Sequence, residues 1–164
     1  MLITGKEINE KYVTPSMFTK VNQVGVDLSV SRIEKIKGGV VVLQDKTIVK
    51  PENYENVETV LLDNKHMWVL EPGSYAITFN EGIKIPSNLT GFMLQRSSLM
   101  RGGATIVSSV WDSGFETAFM GTTMIVNTPI TIELNARIAQ FFMHENHEPH
   151  ELYSGQWQGK TNHN

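Results

Sequence analysis

The 164-residue chain contains no cysteine, which excludes a disulfide framework, a thiol nucleophile, a cysteine-ligated iron–sulfur cluster and any zinc site built on thiolates. Long apolar runs are also missing. Polar or charged residues interrupt every candidate stretch well short of the ~20 residues that a membrane-spanning helix needs. The start, Met1-Leu2-Ile3-Thr4-Gly5-Lys6-Glu7, has neither the basic region nor the long apolar core of a signal peptide. A soluble, cytoplasmic protein with no membrane partner is therefore expected. Nor is there an excess of positive charge: 14 Lys and Arg against 17 Asp and Glu give a net charge of -3. That balance argues against a broad nucleic-acid or anionic-membrane surface, which rests on many clustered basic side chains. A local basic pocket for a small anion is still compatible with it.

What is present suits one domain with its own core, since domains average ~150 residues. Thr4-Gly5-Lys6-Glu7 reads as a capping box with Ile3 and Ile8 as its hydrophobic staple, so a short helix is predicted towards Tyr12, ended by Pro15. Beyond it the signals favour strands. Val24 to Val30, Val40 to Leu43, Met67 to Leu70, Tyr75 to Phe79 and Gly91 to Leu94 are short and largely apolar, with turn residues between them. Ala104 to Val110, Thr123 to Val126, Ile130 to Leu134 and Ile138 to Met143 complete the set. Many short strands with little helical period predict an all-β sandwich or barrel-like fold. Asp45 to Lys65 is mostly polar and is expected as an irregular surface excursion. Residues 1–143 would form the β domain and 144–164 an extended tail of the same domain. The eight methionines are expected to fill the core.

Several constellations can carry chemistry. In Gln95-Arg96-Ser97-Ser98-Leu99-Met100-Arg101-Gly102-Gly103, two arginines, two hydroxyls and a glycine pair follow a strand. Such a group can surround phosphate oxygens with charge-assisted donors, or it can be a helix N-terminus capped by Ser97 or Ser98. In Val110-Trp111-Asp112-Ser113-Gly114-Phe115, the Asp112 carboxylate can serve as a general base towards water, or bond its own turn backbone. Asp27 is the sole carboxylate of an otherwise largely apolar strand. Facing inward, it needs an arginine or a hydrated hard cation; facing outward, it needs nothing. Arg137 and Gln140 can donate to an anion or fasten adjacent strands. His144, His147 and His150 recur every third residue, which can attract a transition metal, but no recognised metal signature accompanies them and a solvated stretch is favoured.

Taken in order, Gly25-Val26-Asp27-Leu28, Arg96-Ser97-Ser98-Leu99-Met100-Arg101-Gly102, Trp111-Asp112-Ser113-Gly114-Phe115, Arg137-Ile138-Ala139-Gln140 and, more loosely, Tyr153 to Lys160 resemble the superfamily of dUTPases and dCTP deaminases. The nearest likeness is to archaeal-type dUTPases. The resemblance implies a distorted β-barrel of the β-clip type, a homotrimer with sites at subunit junctions, and magnesium as cofactor. It implies that Asp112 activates the water attacking the α-phosphorus of dUTP, giving dUMP and pyrophosphate. Arg96, Ser97, Ser98, Arg101 and Gln140 would bind the phosphates, and Asp27 would lie in the metal and water shell. Phe115 would pack under the deoxyribose, leaving a ribose hydroxyl without a partner. The tail would close over the nucleotide, with Trp157 stacking and Lys160 reaching a phosphate.

The resemblance also admits alternatives: a dCTP deaminase or bifunctional enzyme, or a non-catalytic nucleotide-binding regulatory relative. Deamination in that branch uses a glutamate on the strand after the aspartate motif, and here that strand reads Thr122-Thr123-Met124-Ile125-Val126, without a carboxylate. Three further positions depart from the pattern. Ser113 stands for a proline frequent in deaminases, Thr117 for a glycine after the aromatic, and Asn135 for a glycine before the arginine motif.

Overall fold

A computed structural model describes residues 1–147 and 151–159. Thr4 lies in extended backbone and its hydroxyl accepts from the Glu7 N–H at 3.2 Å, which starts helix α1 (Gly5–Lys11). The capping box is half made, because the Glu7 carboxylate turns away to Lys11 at 3.0 Å and to the Tyr12 hydroxyl. Ile3 and Ile8 are both buried, as a staple requires.

Strands then follow almost without interruption. They are β1 (Val13–Thr14), β2 (Lys20–Val21), β3 (Val26–Ile36), β4 (Val41–Val42), β5 (Thr47–Ile48), β6 (Tyr54–Asn56), β7 (Val60–Leu62), β8 (Lys65–Leu70), β9 (Gly73–Phe79) and β10 (Gly82–Lys84). After β11 (Leu89–Gln95) and the short helix α2 (Ser97–Arg101) come β12 (Ala104–Val107), β13 (Glu116–Thr117), β14 (Gly121–Val126), β15 (Ile130–Glu133) and β16 (Arg137–Glu145).

The main sheet runs β11-β16-β3-β9-β14-β12 and is antiparallel at every step of that path. Its two ends are brought back together by α2 and by the Thr105 hydroxyl, which donates to the Gln95 side chain at 3.1 Å. The result is the all-β, nearly closed distorted barrel that the sequence implied. Strand β3 is its spine, pairing with β16 through Val26 to Ser29 and with β9 from Val30 to Lys35. A register break on each side bends it from one half of the barrel to the other. Leu28, Ile33, Ile77, Phe79, Met124 and Phe141 lie at the centre of the core.

The structure corrects several local expectations. Val40 to Leu43 is apolar yet exposed, because β4 pairs only with β5 in a projecting hairpin. The polar stretch after Asp45 contributes β6, which pairs with β3, and β7, which pairs with β8. Strand β12 stops at Val107 rather than Val110, and β16 continues through Glu145. Met93, Met120, Met124 and Met143 fill the core, whereas Met1, Met17 and Met100 are exposed. Among the described residues no helix is long and apolar enough to cross a membrane.

Candidate active site

Asp112 is set in place from below. Gly91 on β11 and Trp111 exchange backbone hydrogen bonds at 2.8 and 2.9 Å, so the loop after β12 is fastened to the barrel one residue before the aspartate. Only glycine permits this approach: a Cβ at Gly91 would strike the Phe141 ring and stand 3.0 Å from the Trp111 Cβ. A turn follows, closed by the Phe115 N–H donating to the Asp112 carbonyl at 3.1 Å, with Gly114 at φ 85. The Asp112 side chain is exposed and makes no hydrogen bond or ion pair among the described residues. It is not consumed by its own turn backbone.

Ser113 explains its own departure from the proline pattern. It is buried, its hydroxyl donates to the Leu89 carbonyl at 2.6 Å, and it accepts from the Asn146 amide at 2.8 Å. Asn135 stands at φ 65, a conformation that asparagine tolerates better than most residues, and its side chain accepts from Asn80 at 2.9 Å. Thr117 is buried and its hydroxyl donates to the Phe119 carbonyl at 3.1 Å.

The aromatic rings form a chain from the core to the surface. Trp111 meets Phe141 edge-to-face at 5.7 Å and Phe115 at 5.4 Å, and Phe115 meets Tyr153 at 5.3 Å. Asp112, Phe115, Tyr153 and Trp157 line one cleft of about 440 Å³. Ala76 of β9 and Gly121, Thr122 and Thr123 of β14 line it too, as do Tyr54 of β6 and Val40, Thr47 and Val49 of the projecting hairpin. That volume falls within the about 300–1,000 Å³ of small-molecule sites. Among the described residues, Asp112 is the single carboxylate in this lining, and no lysine or arginine belongs to it. Burial, and then the nearby Glu34, push the Tyr54 hydroxyl above its ordinary pKa.

The second group lies elsewhere on the chain. Asp27 alternates with Val26 and Leu28 onto the opposite face of β3, yet that face is covered as well, and Asp27 is 3 % exposed. Of the two partners open to an inward Asp27, the structure supplies the arginine. Arg96 Nε stands 3.0 Å from one carboxylate oxygen, and the Asn22 amide donates to the other at 2.7 Å. Arg96 also donates to the Arg137 carbonyl at 3.0 Å and is the N-cap residue of α2, which neither serine caps through its side chain. Ser97, Ser98 and Arg101 are exposed on α2. Gln140 sits beside Asp27 in the ladder and donates to the Val24 carbonyl at 2.6 Å.

Sequence order therefore yields two surfaces. Asp112, Phe115 and Trp157 come together in the cleft, while Asp27, Arg96, Ser97, Ser98, Arg101 and Gln140 are absent from its lining. Lys160 and His150 lie outside the described residues. His144 is exposed, with Nδ1 near the Glu145 carbonyl and Nε2 near the N-terminal amine, and His147 is exposed. No cluster of three or more metal-binding side chains occurs among the described residues. Sequence reasoning missed Tyr54, Thr47 and Val49, whose segment was read as irregular, and gave Tyr153 no role. The one available signal was that Tyr153 opens the glycine-flanked run before Trp157.

Fold and cleft define a distorted-barrel protein with a small-molecule-sized cleft in which Asp112 is the one carboxylate among the described residues. A family model described as dCTP deaminase-like matches residues 3–146, and the chain belongs to that family. It is 33% identical over 159 residues, 97% of this chain and 100% of the relative, to the deoxyuridine 5'-triphosphate nucleotidohydrolase of Methanocaldococcus jannaschii. It is 33% identical over 143 residues, 85% of this chain and 86% of the relative, to the probable deoxyuridine 5'-triphosphate nucleotidohydrolase of Aeropyrum pernix. Among solved structures, the 2'-deoxycytidine 5'-triphosphate deaminase of Agrobacterium tumefaciens superposes with a TM-score of 0.66 at 14% identity, over 89% of this chain and 48% of that one. The native EIAV dUTPase superposes with a TM-score of 0.52 at 15% identity, over 87% of this chain and 94% of that one. Both structural likenesses concern the fold.

Proposed function

We propose that the protein is a dUTP diphosphatase, a hydrolase of nucleotide metabolism that converts dUTP to dUMP and pyrophosphate. One observation carries the choice between the two chemistries of the family: among the described residues Asp112 is the single carboxylate lining the cleft, and β14 offers only Gly121, Thr122 and Thr123. Deamination requires a group that moves protons between water and the ring amino group, and β14 supplies none. Hydrolysis requires one base beside the phosphorus, and among the described residues no side chain or backbone group takes up the Asp112 oxygens. The names of the archaeal relatives support the same reading.

Among the described residues the cleft lining has no cation to receive a triphosphate. Arg96, Arg101, Ser97, Ser98 and Gln140 have the donors for it but lie outside the cleft, which supports a homotrimer in which a neighbouring copy brings them to Asp112. Asp27 would act there by fixing the Arg96 guanidinium. Mg²⁺ characteristically keeps several waters and takes one or two carboxylates plus substrate phosphates, and a cleft with one carboxylate and no preformed cage among the described residues fits such an ion. Bound with the substrate, it would offset phosphate charge. Phe115 would underlie the sugar and Trp157 the base, and Lys160 is assigned a phosphate contact.

Incubation with dUTP or dCTP plus Mg²⁺ tests the reading. Pyrophosphate and dUMP from dUTP are expected. Ammonia from dCTP would instead favour the deaminase, and nucleotide binding without product a regulatory relative.

A further inference from the structure

The chain leaves the barrel at the same loop on which its tail later docks. At Asn146 the backbone N–H donates to the Asn88 carbonyl at 2.9 Å, while the side chain accepts from Thr90 and donates to Ser113, both at 2.8 Å. Seven residues later the Tyr153 N–H donates to the carbonyl of that same Ser113 at 2.8 Å. The tail then clasps the next residues of the loop. Gln158 donates to the Gly114 carbonyl at 2.9 Å and accepts from the Glu116 N–H at 3.1 Å, and the Gly159 N–H donates to the Glu116 carbonyl at 2.7 Å. Gly114 has no room for a side chain, since a Cβ would stand 2.9 Å from the Leu152 Cβ. Tyr153 and Trp157 are thereby hung over one side of the cleft.

The β4–β5 hairpin borders the cleft as well, through Val40, Thr47 and Val49. This hairpin pairs with no other strand, and a lone two-stranded hairpin is at best marginally stable. From Val40 to Val49, its hydrogen bonds to the rest of the described residues are two, both with Gln156. The Gln156 amide oxygen accepts from the Thr47 N–H at 3.3 Å and its nitrogen donates to the Thr47 carbonyl at 3.3 Å. A side-chain amide here imitates one rung of a sheet.

We propose that Gln156 is a positioning residue that latches the β4–β5 hairpin to the tail of the same chain, so that hairpin and tail close the cleft as two jaws of one clamp. The clamp deepens the reading of the cleft as a nucleotide site and rests on it. Both latch bonds are exposed and long, which suits a closure that must open for substrate to enter and product to leave. Docking within one chain rests on its two anchors: Asn146 and Tyr153 both bond Ser113, so seven residues bring the tail back to the loop it left.

The absence of native cysteine makes the test clean. In a Thr47→Cys, Gln156→Cys double variant, a short bis-maleimide joins the only two thiols, and non-reducing electrophoresis reads the product. The clamp predicts an internally linked single chain, formed more completely with dUTP and Mg²⁺ present. Covalently joined pairs of chains, or no linkage at saturating dUTP, would overturn it. Kinetics supply a second readout. Gln156→Ala is expected to raise KM for dUTP severalfold more than it lowers kcat, with Gln156→Glu, which keeps the acceptor and loses the donor, falling between. A KM equal to the unaltered protein's would overturn the positioning role. If the unaltered protein fails to hydrolyse dUTP, the diphosphatase reading falls, whereas the linkage pattern still decides the clamp.

Discussion

A carboxylate placed inside a barrel strand must find a partner, and Asp27 finds Arg96 and Asn22. The Asp27 side chain is 4% exposed and the Arg96 side chain 32%, so the pair is only partly withdrawn from water. Removing the charge of Asp27 should cost less than the ~3–5 kcal/mol of breaking a fully buried pair, comparable to the ~1–3 kcal/mol of leaving a buried polar group imperfectly matched. Asp27→Asn is expected to lower the urea midpoint at unchanged slope and to raise KM for dUTP, because Arg96 loses its fixed orientation. A second prediction concerns tyrosines. Burial, and then Glu34 for Tyr54 and Glu71 for Tyr75, raise both hydroxyls above the ordinary value of 10.0. The folded state therefore holds these protons more tightly than the unfolded one. The stability they contribute is complete below the unfolded value and is lost as pH rises through the folded values. Tyrosinate absorbance should appear at higher pH in folded than in urea-unfolded protein, and stability should fall along that rise. At this scale the sequence was informative where chemistry is local: Asp112 and Phe115 were legible in their motif. The partner of Asp27 was not, since Arg96 lies far along the chain and arrives only through the β16 ladder.

Among the elements, β11 carries more than its length suggests. Its Gly91 lets the Trp111 backbone approach, and through that bridge the strand determines where Asp112 stands. Gly91→Ala adds one methyl against Phe141 and Trp111, an overpacking that costs ~1–3 kcal/mol. The expected outcome is a lower thermal midpoint together with a loss of turnover larger than the stability change explains, because the loop is displaced. Core strands were readable because their apolar residues alternate or run continuously against a covered face, as in β9 and β14. Strands β6 and β7 were not. Tyr54-Glu55-Asn56 is polar because its outer side meets water, and Val60 to Leu62 pairs only along a surface ribbon. Conversely, Val40 to Leu43 has the composition of a core strand and lies exposed in the hairpin, where apolar side chains border the cleft rather than fill the barrel.

In the whole molecule, Asp112 and the donors proposed for phosphate, Arg96, Ser97, Ser98, Arg101 and Gln140, lie on separate surfaces of one chain, a division that motif order along a sequence cannot display. Mixed assemblies make it measurable. Subunits carrying Asp112→Asn and subunits carrying Arg101→Ala should each be inactive alone. Co-assembled in equal amounts, they should recover about a quarter of normal turnover, since a cleft with intact Asp112 then meets an intact neighbour in that share of sites. The proposed hydrolysis depends on Asp112 as its base. The most direct measurement is therefore dUMP formation from dUTP and Mg²⁺ by Asp112→Asn, set beside its affinity for dUTP. A fall in kcat of about 10²–10⁴-fold with affinity and assembly preserved is the predicted result, and turnover equal to that of the unaltered protein would contradict it.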